Sequence, residues 1–149
     1  MQRSLVIVKP DGVQRGLAAT ILARLENRGL KMVGLKLMQV SRELAERHYG
    51  VHKGKAFYEA LVSYITSGPV VVAVFEGPNA ISIIRTTMGA TNSAEAAPGT
   101  IRGDFAIQIG RNLIHGSDSP ETAEFEIGLF FGEGGLVSYS RDVDRWIIE

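Results

Sequence analysis

Cysteine is absent from all 149 residues. That excludes disulfides and thiolate metal sites and fits a reducing compartment. Net charge is absent too, since 16 Lys and Arg balance 16 Asp and Glu. No global field therefore steers the chain toward nucleic acid or an anionic membrane, and any anion site must be a local cluster. Long apolar runs are missing: the longest extends only from Val70 to Phe75, far below the roughly 20 residues of a membrane span. The N-terminus offers one Arg and then Leu5 to Val8 before Lys9, too little for a signal peptide. Neither Gly-x4-Gly-Lys-[Ser/Thr] nor Gly-x-Gly-x-x-Gly occurs, which excludes the P-loop and Rossmann classes. No repeat, linker or low-complexity tract is present. What remains is an ordinary globular composition, 45% hydrophobic and 21% charged. The expectation is one soluble, cytoplasmic domain over residues 1–149.

Periodicity sets out the elements. Ser4 to Val8 reads as a buried strand stopped by a turn at Lys9-Pro10-Asp11-Gly12. Leu17, Ile21, Leu22 and Leu25 share one face of a helix over Val13 to Arg28, ended by Gly29. Lys31 to Val40 alternates as a strand with slack in its period, carrying Met32, Leu35 and Leu37. Ser41 opens a short helix to about Tyr49. Ala56 to Ile65 is helical by the spacing of Phe57, Leu61 and Ile65, and Ser67-Gly68-Pro69 breaks it. Val70 to Phe75, apolar without alternation, reads as a central strand. A helix over Ala80 to Met88 leads into an irregular stretch, Gly89 to Gly99, of the kind that is more often functional than idle. Phe105 to Ile109 alternates like a strand, but five residues do not settle strand against helix. Asp118-Ser119-Pro120 starts a helix reaching Phe131. This order predicts an α+β, ferredoxin-like sandwich: a four-stranded antiparallel sheet with helices packed on it.

The chemistry centres on Asn112-Leu113-Ile114-His115-Gly116-Ser117-Asp118. An apolar run fixes the backbone, and Gly-Ser-Asp lets the chain turn while exposing the histidine. Imidazole titrates near physiological pH and attacks as a neutral nucleophile there. Alone, His115 would read as a hydrogen-bonded histidine at a strand end. In the helix that follows, Ala123, Ile127 and Phe130 share a stripe with Glu126 at its edge, while Glu121 and Glu124 point to solvent. A carboxylate so near a buried stripe needs a partner, and Glu126 is placed to orient one imidazole nitrogen while the other attacks. Lys9, Arg85 and Arg102 sit at element ends and loop margins, where sites gather. A histidine nucleophile with Lys and two Arg suits phosphoryl transfer, which depends on positioning and charge stabilisation. Each cation alone reads as a surface charge. Arg102-Gly103-Asp104 also matches an adhesion tripeptide, a match short enough to arise by chance.

These motifs together resemble the nucleoside diphosphate kinase family. The signature Asn-x-x-His-Gly-Ser-Asp is Asn112 to Asp118, downstream of Lys9-Pro10-Asp11-Gly12 and of Pro98-Gly99-Thr100-Ile101-Arg102-Gly103-Asp104. Ser67-Gly68-Pro69 and Glu126-Ile127-Gly128-Leu129-Phe130 are similar too, and the likeness runs from residue 4 to the C-terminus. The resemblance implies a ping-pong kinase that maintains nucleoside and deoxynucleoside triphosphate pools. His115 would take the γ-phosphoryl of a nucleoside triphosphate, mainly ATP, through Nδ1 and pass it to a nucleoside diphosphate. Glu126 would hold the other ring nitrogen, Ser117 would bond that carboxylate, and Tyr49 would lie beside the histidine. Arg85, Thr91 and Arg102 resemble the phosphate-binding set, and Lys9 and Asn112 the pair on the ribose 3′-hydroxyl, with Lys9 also reaching the phosphates. Phe57 resembles the ring on which the base stacks, which implies broad nucleoside specificity because every base has a π-face. By spacing alone, in the stripe Phe57, Leu61 and Ile65, Phe57 reads as core rather than as a binding ring. Mg2+ would be held through the nucleotide phosphates, with no protein metal ligands.

The family also implies a short helix with its connector over Thr100 to Ile109, in place of the strand read from the period. It implies a homo-oligomer, which the C-terminal segment Gly132 to Glu149 inclines toward a hexamer rather than a tetramer. Ser93 stands where many members have Pro. His48 and His52 match no catalytic position and are expected to be surface or structural. Two other readings use the same residues: a phosphohistidine regulator with a protein acceptor, and a nucleic-acid binder. Zero net charge and the lack of a basic, aromatic-interleaved stripe argue against specific nucleic-acid binding.

Overall fold

A computed structural model describes residues 1–149. Strands β1 (Gln2–Val8), β2 (Lys31–Met38), β3 (Val70–Gly77) and β4 (Ile114–Gly116) form one antiparallel sheet in the order β2-β3-β1-β4. The two interior strands are apolar on both faces, which is why neither alternates. Val6, Val8, Ala73 and Phe75 face one core with helices α2 (Ala18–Asn27) and α5 (Ala80–Met88). Leu5, Ile7, Val70, Val72 and Val74 face the other, with α3 (Arg42–His48), α4 (Tyr58–Ile65) and α7 (Pro120–Phe131). The α+β, ferredoxin-like arrangement expected from the sequence is present, with helices on both faces of the sheet.

Several boundaries differ from the sequence reading for identifiable reasons. Pro10-Asp11-Gly12 is not a turn but the start of a separate helix, α1 (Pro10–Gln14), with Pro at its first position, where a missing N–H costs nothing. The chain breaks at Gly16, φ +70°, before α2. In β2 the register shifts between Met32 and Gly34, so Val33 is buried while Leu35 and Leu37 are exposed. That bulge is the slack in the period. Phe57 precedes α4, whose buried residues are Tyr58, Val62 and Ile65 rather than Phe57, Leu61 and Ile65. Phe105 to Ile109 is not a strand: α6 (Ile101–Phe105) is capped by Thr100, whose side chain accepts the Gly103 N–H, and Ile107 and Ile109 are exposed. Here the helix implied by the family likeness holds and the period does not.

β4 is the short strand that matters most. Ile7 lies opposite His115 and Val8 opposite Ile114. Residues directly opposite in an antiparallel pair project to the same face. His115 therefore projects with Ile7 into the layer built by α3, α4 and α7, while Ile114 joins the α2 and α5 core. Gly116 is strand rather than turn. A Cβ there would come within 2.6 Å of Met88 Sδ in α5, so the glycine answers to close helix packing and not to a reversal of the chain.

Candidate active site

Two residues converge beneath the imidazole of His115. Its Nε2 lies 2.8 Å from Glu126 Oε2, and Ser117 Oγ–H donates to Glu126 Oε1 at 2.7 Å. Glu126 is not an edge carboxylate; with Ala123 and Phe130 it makes up the buried face of α7. Burial alone would raise its pKa. The His115 hydrogen bond and charge, the Ser117 hydroxyl and the nearby His48 overcome that and hold it below the usual carboxylate range. An ionised carboxylate only accepts, so a neutral His115 ring bonded to it carries its proton on Nε2 and keeps a lone pair on Nδ1.

His115 opens into a cleft of about 540 Å³, bordered also by Tyr49, His52, Arg85, Asp118 and Glu121. Glu121, expected to point to solvent, is exposed but forms part of this wall. Arg85 Nη1–H donates to the Gly116 carbonyl at 3.3 Å, which holds its guanidinium beside the histidine strand. Tyr49 is buried and its hydroxyl is pushed up to about 12 by desolvation and then by Glu126.

A second cluster lies behind β4. Lys9 Nζ donates to Asn112 Oδ1 at 2.8 Å, with both residues buried. Desolvation, then the Arg102 charge, lowers Lys9 to about 8. Arg102 is buried and donates to the carbonyls of Asn112, Gly89 and Ile114 at 3.1, 3.1 and 2.6 Å. Desolvation, then Arg85, lowers it to about 10. Two cations, each lowered by burial and then by a neighbouring arginine, make a place where negative charge would be favoured. Burial of Arg102, and the Arg24–Asp104 ion pair at 2.7 Å, also rule out Arg102-Gly103-Asp104 as a displayed adhesion loop.

Two expected residues stand apart. Phe57 is 48% exposed, which overturns the core alternative; its ring lies 5.2 Å from that of His52 at the cleft's border. Thr91 is exposed on the loop after α5, and its hydroxyl bonds none of these groups.

The sequence reading missed three participants. His48 is not on the surface: its side chain is 2% exposed, its ring centroid is 4.8 Å from that of His115, and its Nδ1 is 3.4 Å from Glu126 Oε2. Burial, then the His115 charge, lowers it to about 3, so it is neutral. Ala45 and His48, three apart in the helix opened by Ser41, were the available signal of a buried face. Asp11 accepts the Leu113 N–H at 3.2 Å and the Tyr64 hydroxyl. Leu113, fully buried, has φ +70°, and the Ile114 N–H bonds the Asn112 carbonyl across it at 2.8 Å. Such strain in a bulky residue persists only where its surroundings over-determine it.

Comparison with known proteins agrees with this fold. A model of the nucleoside diphosphate kinase family matches residues 2–136. A nucleoside diphosphate kinase of Thermomicrobium roseum is 67% identical over 148 residues, covering 99% of each chain. One of Archaeoglobus fulgidus is 56% identical over 149 residues, covering 100% of this chain and 99% of the relative. The structure of a halophilic nucleoside diphosphate kinase from Halobacterium salinarum, in complex with CDP, is 53% identical with a TM-score of 0.97 over 99% of each chain. With the motifs, the sheet and nearly the whole length in agreement, the chain belongs to the nucleoside diphosphate kinase family of phosphotransferases.

Proposed function

We propose that the 149 residues act as one kinase domain that transfers the γ-phosphoryl of a nucleoside triphosphate, mainly ATP, to a nucleoside diphosphate in two half-reactions through His115. The observation that carries this is the Ser117–Glu126–His115 chain at 2.7 and 2.8 Å on the floor of an open cleft. Glu126 fixes the proton on Nε2, so Nδ1 attacks the γ-phosphorus. The N–P bond forms as the bond to the bridging oxygen breaks, and the diphosphate leaves with that electron pair. In the second half a β-phosphate oxygen of the incoming diphosphate attacks the same phosphorus, and the electron pair returns to Nδ1. Glu126 offsets the positive charge the ring acquires, and Ser117 keeps the carboxylate in place.

Arg85, Thr91 and Arg102 receive the phosphates. Arg102 spends three of its five donors on backbone carbonyls, which leaves two for phosphate oxygens. Lys9 and Asn112 hold the ribose 3′-hydroxyl, with Lys9 also toward the phosphates, and Tyr49 shapes the wall beside His115. Phe57 supplies the half-exposed ring for the base. The CDP bound by the Halobacterium salinarum relative is in keeping with a nucleoside diphosphate in this cleft.

Members of the family generally require a divalent metal, and Mg2+ carried on the nucleotide phosphates is the ion in this reading. Its hard-oxygen preference finds no all-oxygen cage here, because the acidic and histidine side chains that gather are one carboxylate and two imidazoles. Arg85, Arg102 and Lys9 position the phosphates through which Mg2+ would be held, and the ion would supply charge neutralisation. Exposed Leu35 and Leu37 on edge strand β2, with Val143, Trp146 and Ile147 near the C-terminus, suit a homo-oligomer, the hexamer ahead of the tetramer. The cytoplasm, with its nucleotide pools, is the compartment assigned.

The test is to label the protein with γ-labelled ATP and Mg2+, then chase with GDP, alongside His115→Ala. The expected label survives alkali, is lost in acid, moves to GDP and is absent from the variant. Label that forms but stays on the protein when GDP is added would overturn the reading in favour of a phosphohistidine regulator.

A further inference from the structure

His48 is a buried imidazole without a hydrogen-bond partner at either ring nitrogen. Leaving such a group unpaired in the interior is costly, and a phosphoryl relay through His115, Glu126 and Ser117 makes no use of it. Its Nδ1 faces Glu126 Oε2 at 3.4 Å, and on the other side the same oxygen meets His115 Nε2 at 2.8 Å. One donor atom from each of the three side chains lies within 4.8 Å of the others. A tetrahedral ion with bonds of about 2.0–2.1 Å holds its donors about 3.3 Å apart. The two nearer separations bracket that value, and side-chain rotations close the third. Two imidazoles and one carboxylate are also the donor set of open, three-ligand zinc sites, and here the fourth position would face the cleft.

We propose that His48 Nδ1, His115 Nε2 and Glu126 Oε2 bind a borderline-soft divalent cation of the Zn2+ class, and that this ion switches phosphoryl transfer off. Mg2+ is discriminated against by the two nitrogens. The inhibitory part rests on the reading of His115 Nδ1 as the phosphoryl acceptor. A neutral imidazole carries one N–H. When Nε2 donates its lone pair to the metal, the ring proton moves through solvent to Nδ1. The lone pair that attacks phosphorus is then gone, with no change in the residues that bind nucleotide. Metal binding and phosphorylation compete for one tautomer.

The test uses the chelator-treated full chain without nucleotide. Titration with Co2+ is expected to give the visible band of a four-coordinate site at one ion per chain, displaced by Zn2+. His48→Asn and Glu126→Gln should each weaken binding at least about tenfold, a floor set by what even outer-shell changes cost metal sites. His52→Asn, at the cleft border but outside the triad, should leave the affinity unchanged. Zn2+-loaded protein, freed of excess metal, should form phosphohistidine from ATP and Mg2+ in proportion to its metal-free fraction and recover with a chelator. No band, or a band unaltered in His48→Asn, overturns the site and leaves the kinase reading intact. A band lost in His48→Asn, with Zn2+-loaded protein phosphorylating at the metal-free rate, keeps the site but overturns the switch and the Nδ1 assignment.

Discussion

Replacing Glu126 with Gln keeps the shape of the residue beneath His115 and removes its charge. In phosphoryl transfer to Nδ1 the ring gains positive charge, and the carboxylate is the nearest group that offsets it. At 2.8 Å and an effective dielectric near 20, a full unit charge there is worth about 6 kcal/mol. If roughly a third to a half of that charge has developed at the transition state, the loss is about 2–3 kcal/mol, or roughly 30- to 150-fold in rate. Stability should move much less. A buried charge held by neutral and partly neutral donors gains little over an uncharged isostere, so the midpoint of unfolding should correspond to a change within about 1 kcal/mol. The assay is single-turnover phosphoenzyme formation with labelled ATP, read beside thermal unfolding of the same preparations. A Glu126→Gln rate within twofold of the parent would refute electrostatic support by Glu126. A large loss of stability accompanying the loss of rate would reduce it to a structural role.

Four further outcomes follow from other groups. Ser117→Ala should do the reverse of Glu126→Gln, because Ser117 Oγ also accepts the buried Leu5 N–H at 3.1 Å. Its loss should cost about 1–3 kcal/mol in denaturant unfolding, with a smaller effect on the phosphorylation rate than Glu126→Gln. Lys9, lowered to about 8, binds fewer protons folded than unfolded between pH 8 and 10.5. Its contribution to stability therefore becomes more favourable as pH rises through that window, and the stability gap between Lys9→Met and the parent should shift toward the parent in thermal unfolding between those pH values. Nucleotide affinity of the parent, measured by calorimetry, should fall as pH rises past about 8 and Lys9 discharges. Ser93→Pro should stabilise by about 0.4–1 kcal/mol in thermal unfolding, because Ser93 opens a 3-10 turn, where Pro is tolerated, and Asn92 before it is extended at φ −77°, ψ 105°.

The sequence was most legible where one element speaks for itself. The unbroken apolar run of β3, the Ser41 and Ser119 caps, and the Gly29 stop all mark their elements within a residue or two. Legibility failed where a local signal has two physical meanings. Pro10 serves as readily at a helix start as in a turn, and only the helical path of Asp11 to Gln14 decides. The apolar residues of β2 keep period 2 on either side of a bulge that reverses their facing, so Leu35 and Leu37 look like core and lie on the surface. Ile107 and Ile109 alternate for no buried reason.

The candidate site divides in the same way. Lys9, Arg85, Arg102, Asn112, His115, Ser117 and Glu126 were all named from spacing and family likeness, yet their geometry depends on a fact that no window of sequence contains. Ile7 stands opposite His115. Because side chains on a strand alternate, a slip of one residue would turn His115 toward α5, among Ile84 and Met88, and away from Glu126 and His48. A three-residue strand has little pairing of its own to resist that slip. The resistance comes from the strained residue just before it. Leu113, at φ +70°, accepts the Lys9 N–H at 2.8 Å and donates its own N–H to Asp11 at 3.2 Å. Both partners belong to the Lys9-Pro10-Asp11 corner where β1 ends. The same corner that carries the Lys9 ammonium thus fixes the phase of β4, and with it which nitrogen of His115 meets Glu126. Strain at Leu113 is how a strand too short to choose its own register is made to present the histidine to the cleft.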